Sequence, residues 1–158
     1  MLFRSANNHM PNQRPAEDAV HELVQQKKIE VIDFWPSMVA TDAAVSVFGH
    51  DRKVQGHGGE AVTSMLMAID ENCVRKDLLI ASTEVKGEVK GFADLRITGP
   101  WNALYKSQAI HTFRDMHFIT ENGQIGDNTN ASIEQGKKLL DWLISWGVDL
   151  VNDFKKMP

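Results

Sequence analysis

His111, Phe113, Asp115, His117 and Ile119 alternate along the stretch AIHTFRDMHFITENGQIGDNTN, residues 109–130. In an extended strand they share one face, because successive side chains point to opposite sides. An aspartate between two histidines on such a face holds an imidazole in one tautomer, ready to take or give a proton. His117 or His111 is therefore the candidate general base or acid. Asp115 either orients the imidazole or serves as the acid itself. Asn128 and Asn130, on the strand expected to follow, would bind a carbonyl or hydroxyl of a ligand. On the strand before, Phe92, Asp94 and Arg96 are candidates for the same pocket, although Ala93, Leu95 and Ile97 make an equally good apolar face. Phe113 and Trp101 complete the expected lining.

Positioning these groups requires a hairpin. Glu121-Asn122-Gly123 separates two alternating runs, and Asn-Gly is the strongest short-range hairpin signal. Upstream, Pro15-Ala-Glu-Asp opens a helix with two acids in its first turn, where the dipole favours them. Ile32-Asp-Phe-Trp is a short segment broken by Pro36, and Ala43–Phe48 reads as a short strand ending at Gly49. A polar loop covers residues 50–59. Glu60–Asn72 reads as a second helix, with Val62, Met65, Leu66 and Ile69 at helical spacing. Strands are expected over Leu78–Val85 and Val89–Thr98, and a loop from Trp101 to Ser107. Ile133–Phe154 reads as a closing helix, with Leu139, Leu140, Leu143, Ile144, Val148 and Leu150 as core candidates.

The expected architecture is α+β: a curved antiparallel sheet wrapped on N-terminal helices into a cone-shaped barrel, with a C-terminal helix. Such a cone has an apolar pocket at its mouth, the default place for a small-molecule site. Residues 1–14, polar and rich in asparagine, are expected to be a loose tail, and 15–158 a single domain.

Composition narrows the function classes. The chain has 158 residues, 42% hydrophobic and 24% charged, with a formal net charge of −4. That balance points away from nucleic acid or an anionic membrane as partner. The single cysteine, Cys73, excludes an internal disulfide framework and a Cys-rich zinc site. No apolar run is long enough to span a bilayer, and the start lacks the apolar core of a signal peptide, so a cytoplasmic location is expected. His50 and His57 with one aspartate between them have poor spacing for a metal site, so neither metal nor cofactor is expected. Trp142 and Trp146, four apart on a helix, read as packing.

Three local patterns carry a family resemblance. Asp42-Ala-Ala-Val followed by Gln55-Gly-His-Gly-Gly-Glu-Ala-Val is similar to a strand-to-helix junction of the nuclear-transport-factor-2-like superfamily, in its SnoaL-like, ketosteroid-isomerase-like branch. Phe113-Arg-Asp-Met-His-Phe-Ile-Thr-Glu-Asn-Gly-Gln-Ile resembles that branch's closing hairpin, and Asp141-Trp-Leu-Ile-Ser-Trp-Gly its terminal segment. The resemblance implies that Asp115 faces the pocket as a protonated hydrogen-bond donor. It places Val47 where the isomerases carry their base and Leu23 where they carry a tyrosine, so that apparatus is incomplete. The water-activating aspartate of the related limonene epoxide hydrolases falls near Asn130, and their Arg-x-Asp pair appears reversed as Asp94-Leu-Arg96. The implied protein is a small cofactor-independent enzyme isomerising, cyclising, dehydrating or hydrating a hydrophobic small molecule. The alternative is a non-catalytic ligand-binding or association domain of the same fold. A homodimer through the outer sheet face, with Ile110, Met116 and Phe118 on it, is expected by resemblance.

Overall fold

Leu2–Ala6 and Glu30–Phe34 are strands β1 and β2, paired in parallel with Leu2 opposite Glu30 and Ala6 opposite Phe34. Parallel neighbours need a crossover, and the segment between them holds helix α1, Gln13–Lys27. This is a computed structural model, and it describes residues 2–6, 12–49, 56–81, 94–97, 102–112 and 115–157. The residues expected to be a loose tail thus include a strand, because β2 offers them a backbone ladder that composition does not register.

Helix α1 begins at Gln13, two residues before Pro15, so Glu17 and Asp18 fall beyond its first turn. Glu17 instead accepts a hydrogen bond from Gln13 at 2.7 Å. The helix stops at Lys28, which adopts a left-handed conformation with φ 52°, a common way of ending a helix. Helix α2, Pro36–Phe48, replaces the strand expected over residues 43–48. Pro36 is the reason: at a first helical position its missing N–H costs nothing and its fixed φ suits the helix. Ala40, Ala43 and Ala44 then recur at helical spacing and are all buried. Valines that favour a strand locally are overruled by this buried alanine stripe.

The chain divides into two compact units, residues 1–47 with 138–158, and residues 48–137. In the first unit Trp146 packs on Phe34 with ring centroids 5.8 Å apart, and Trp142 stacks on Trp146 at 6.5 Å. Leu139 and Phe154 are buried there, whereas Ile144 and Val148 are exposed. All four belong to helix α4, Ile133–Phe154.

The second unit contains helix α3, Glu60–Ile69, and an antiparallel meander of β3 (Leu95–Ile97), β4 (Asn102–Tyr105) and β5 (Gln108–His111). The β4–β5 hairpin turns at Lys106-Ser107, where Tyr105 pairs with Gln108 and both turn residues have positive φ. A strand pair thus replaces the loop expected over 101–107. Ala103 and Ile119 form a buried cluster with Leu95 and Ile125 packed against it. The long strand expected through His117 is not formed. Beta-5 ends at His111, Met116–Phe118 is a 3₁₀ turn, and Gly123 takes φ 84°. Side chains close this turn in place of a ladder: Thr120 Oγ1 accepts from Gly123 N at 2.8 Å, and Asn122 Oδ1 from Gln124 N at 3.0 Å. Such local bonds compete with strand pairing.

Leu78 ends a 3₁₀ turn, Lys76–Leu78, where a strand was expected to begin. Residues 82–93, 98–101 and 113–114, which carry much of the expected sheet, lie outside the described residues. No described helix is long and apolar enough to cross a membrane.

Candidate functional site

Helix α3 buries the face that hydrophobic spacing does not select. Val62, Leu66 and Ile69 are 52%, 41% and 71% exposed, while Ala61, Thr63, Ser64, Met67 and Glu60 are buried. The cause lies at the start of α4. A Cβ on Gly136 would collide with the backbone carbonyl of Ser64 and sit 3.0 Å from the Ala68 Cβ. The two backbones approach at a bare glycine, and Ser64 Oγ accepts a hydrogen bond from Ser132 N at 3.0 Å. Small residues permit that approach, so the small and polar face of α3 turns inward and its larger apolar residues stay outside.

The same arrangement brings Glu60 inside. It stands in the first turn of α3, 8% exposed, directly after Gly56-His57-Gly58-Gly59. This glycine-rich turn is shaped for close approach. Gly56 has φ 121°, and a Cβ there would run into the Ile125 carbonyl. Gly58 has φ 69°, a region that side chains rarely adopt. His57 O accepts from Ile125 N at 2.8 Å, locking the turn to the segment after Gly123.

Asn128 is the clamp of the assembly. Its Nδ2 donates to Gly58 O at 3.0 Å and its Oδ1 accepts from Ile80 N at 2.9 Å. Thr63 Oγ1 donates to the same Gly58 carbonyl at 3.2 Å. Gln124 Nε2 donates to the carbonyls of Ile80 and Gly126. Beside the clamp, Asp127 Oδ1 accepts from Thr129 N at 2.9 Å and from Thr129 Oγ1 at 2.6 Å. Three separate segments, 56–60, the Ile80 backbone and 124–129, are thereby tied into one cradle at the entry to α3.

Burial pushes that carboxyl above its ordinary value, and the negative charge of Asp127 pushes it further in the same direction. Both effects disfavour the charged form. A carboxyl raised in this way takes and releases a proton closer to neutral pH than an exposed one. It is the chemically distinctive group of the cradle.

The residues singled out from the sequence are placed elsewhere or otherwise engaged. His117 Nδ1 and Asp115 Oδ1 do meet, at 3.2 Å, but on the 3₁₀ turn, with side chains 64% and 71% exposed. His111 is exposed at the end of β5, and Asn130 is exposed in the loop before α4. Asn128 is buried with both ends of its amide on backbone partners, so in this arrangement it is a clamp. Asp94 is exposed, and its carbonyl accepts from Lys106 N at 3.1 Å. Arg96 pairs with Leu104 in the β3–β4 ladder. Phe92, Phe113 and Trp101 lie outside the described residues. Alternation and hydropathy do not select Glu60. The available signal was Gly-His-Gly-Gly-Glu running straight into a helix, a turn whose glycines needed a chemical reason.

A family model described as Creatininase: Creatinine amidohydrolase matches residues 3–151. No curated protein and no solved structure gives a significant match. The family match overturns the resemblance to the nuclear-transport-factor-2-like superfamily. With it fall the SnoaL-type isomerase, cyclase, dehydratase and hydratase readings, and the non-catalytic domain of that fold. The quoted patterns were short and built around glycine turns. In the structure one of them is the glycine entry to α3, and another spans a 3₁₀ turn in place of a closing hairpin.

Proposed function

The chain belongs to the creatininase family, and from that premise we propose that it is an amidohydrolase opening a cyclic amide of the creatinine type, with Glu60 as its acid–base group. The observation that carries this reading is the buried Glu60 carboxyl at the glycine-rich entry to α3, raised by burial and by Asp127.

Amide hydrolysis needs a proton taken from water and a proton given to nitrogen. In its charged form the Glu60 carboxylate accepts the first, as the water oxygen bonds to the carbonyl carbon. The resulting carboxylic acid returns that proton to the departing nitrogen as the C–N bond breaks. One group serves both steps best when its proton affinity lies between the extremes, which is where burial drives it. A metal ion is a common means of polarising an amide carbonyl. Among the described residues no three His, Cys, Asp or Glu side chains are placed to hold one, so no step here is routed through a metal.

The test is hydrolysis of creatinine by the purified chain and by Glu60→Gln, followed as the appearance of creatine. Wild type is expected to turn over and Glu60→Gln to lose about 100-fold or more, the usual worth of a positioned acid–base group. A Glu60→Gln variant that hydrolyses creatinine at the wild-type rate overturns the assignment.

A further inference from the structure

Glu60 lies inside a short closed ring of chain. Thr63 N donates to Gly59 O at 3.0 Å, and Thr63 Oγ1 donates to Gly58 O at 3.2 Å. Both bonds leave one residue, three positions after Glu60, and end on the two residues before it. The first bond is the one any helix makes at this point. The second belongs to the threonine, because a valine of similar shape has no hydroxyl to donate. Gly58 O already receives Asn128 Nδ2 at 3.0 Å, so two side chains, 9% and 8% exposed, converge on one carbonyl. An open turn carbonyl is satisfied by water, whereas two buried donors fix the plane of the Gly58–Gly59 peptide. That plane needs an outside hold. Gly58 has φ 69°, and the N-cap of α3 is Gly59, which makes no side-chain cap bond, so the ordinary device for fixing a helix start is missing.

We propose that Thr63 is a positioning residue of this site, closing the ring that carries Glu60 through its bond to Gly58 O, with Asn128 completing the same carbonyl. The inference rests on reading Glu60 as the acid–base group. Three positions apart on a helix, Glu60 and Thr63 are neighbours on one face, and both are buried. Thr63 touches no reacting atom. Its hydroxyl holds the peptide from which α3 departs, and so keeps the residue bearing the carboxyl turned inward. Without that bond the Gly58–Gly59 peptide is held from one side only, and the first turn of α3 relaxes toward water. The carboxyl is then better solvated and sits less accurately against a substrate.

The direct experiment is an NMR titration of the Glu60 side-chain carboxyl in ¹³C-glutamate-labelled protein, assigned with Glu60→Gln. Wild type is compared with Thr63→Val, which loses the hydroxyl, and Thr63→Ser, which keeps it. Asp127, whose charge acts on Glu60, is present in all three. The midpoint of Glu60 is expected to fall toward the ordinary glutamate value in Thr63→Val and to stay raised in Thr63→Ser. On creatinine, Thr63→Val is expected to lose up to about 100-fold in kcat, the cost of slightly misplacing a catalytic group, with KM little changed and Thr63→Ser close to wild type. A Glu60 midpoint unchanged in folded Thr63→Val overturns the proposal, because a threonine that only stabilises the helix changes the unfolding midpoint and leaves the carboxyl alone. So does a Thr63→Ser midpoint that falls as far as that of Thr63→Val. Should Thr63→Val fail to fold, Thr63→Ala takes its place, and an unmoved midpoint there overturns the proposal equally. A midpoint that responds as expected in a protein without activity on creatinine leaves the positioning of Glu60 standing and removes the proposed substrate reading alone.

Discussion

Replacing Asn128 separates a clamp from a ligand contact, and the size of the effect follows from its two bonds. In Asn128→Ala, Ile80 N loses its acceptor at 2.9 Å and Gly58 O loses one of its two side-chain donors. Each such bond contributes about 0.5–1.5 kcal/mol net, and Ile80 is 40% exposed, so water replaces part of what its amide loses. Gly58 O keeps Thr63 Oγ1, so the larger share falls on Ile80. The expected loss is about 1–3 kcal/mol, read from the midpoint of urea unfolding at unchanged slope. Asn128→Asp keeps the acceptor for Ile80 but turns a carboxylate oxygen toward the Gly58 carbonyl, so it also destabilises. Hydrogen exchange distinguishes the two. The Ile80 amide exchanges faster in Asn128→Ala and stays protected in Asn128→Asp. Asn130→Ala, two residues on and exposed, is the control and shifts stability by less than about 0.5 kcal/mol. The reasoning is refuted if Asn128→Ala costs no more than that control, or if the Ile80 amide exchanges at the wild-type rate. An effect confined to KM, with stability intact, would instead make Asn128 a substrate ligand.

Glu60 also predicts a pH dependence of stability. Its folded-state value lies above the ordinary 4.5, so folding takes up a proton. The stability this provides is full below that ordinary value and is lost as pH rises through the raised one. The slope is at most about 1.4 kcal/mol per pH unit for one proton. Glu60→Gln should flatten that limb and be more stable than wild type at neutral pH, measured by urea unfolding at pH 4 and pH 8; a wild-type profile in the variant contradicts the burial argument. Helix α4 offers a second comparison, in which one substitution has opposite signs at two sites. Gly136→Ala forces a Cβ into the Ser64 carbonyl and should cost about 1–3 kcal/mol or more. Gly147→Ala meets nothing within 4 Å and should stabilise by about 0.5–1 kcal/mol. Equal unfolding midpoints for the two variants would contradict the close approach of α3 and α4.

Alternation and spacing read some elements well and others badly, and the difference is physical. Helix α4 runs Ile133–Phe154, as its apolar repeat indicates, because a long amphipathic stripe leaves few competing structures. Helix α2 was misread because its valines suggest a strand, while the decisive information sits in Pro36 and three buried alanines. Strand β1 leaves no mark in the sequence because a five-residue strand gains its pairing from β2, 28 positions on, in no local pattern. On α3 the hydrophobic stripe pointed to the wrong face. A periodic set of apolar residues marks a core only if that side has a partner, and here Gly136 lets a helix come closer on the opposite side.

The environment of Glu60 is hidden in the sequence for a related reason. His111, Asp115 and His117 attract notice because their side chains are reactive, but reactivity in a residue type says nothing about desolvation. In the structure the Asp115–His117 pair remains largely in water, where an ion pair contributes little. Glu60 is an ordinary glutamate by type, and its environment is what sets it apart. That environment is built from backbone: Gly56 and Gly58 in conformations closed to other residues, and carbonyls of Gly58 and Ile80 gathered by Asn128 and Gln124. Long-range ties of this kind, such as Gly58 to Asn128, leave a single trace in a sequence, which is the cost of glycine where no turn between strands requires it. Three glycines in four positions immediately before an acidic first turn are therefore the trace in the sequence that points to the environment of Glu60.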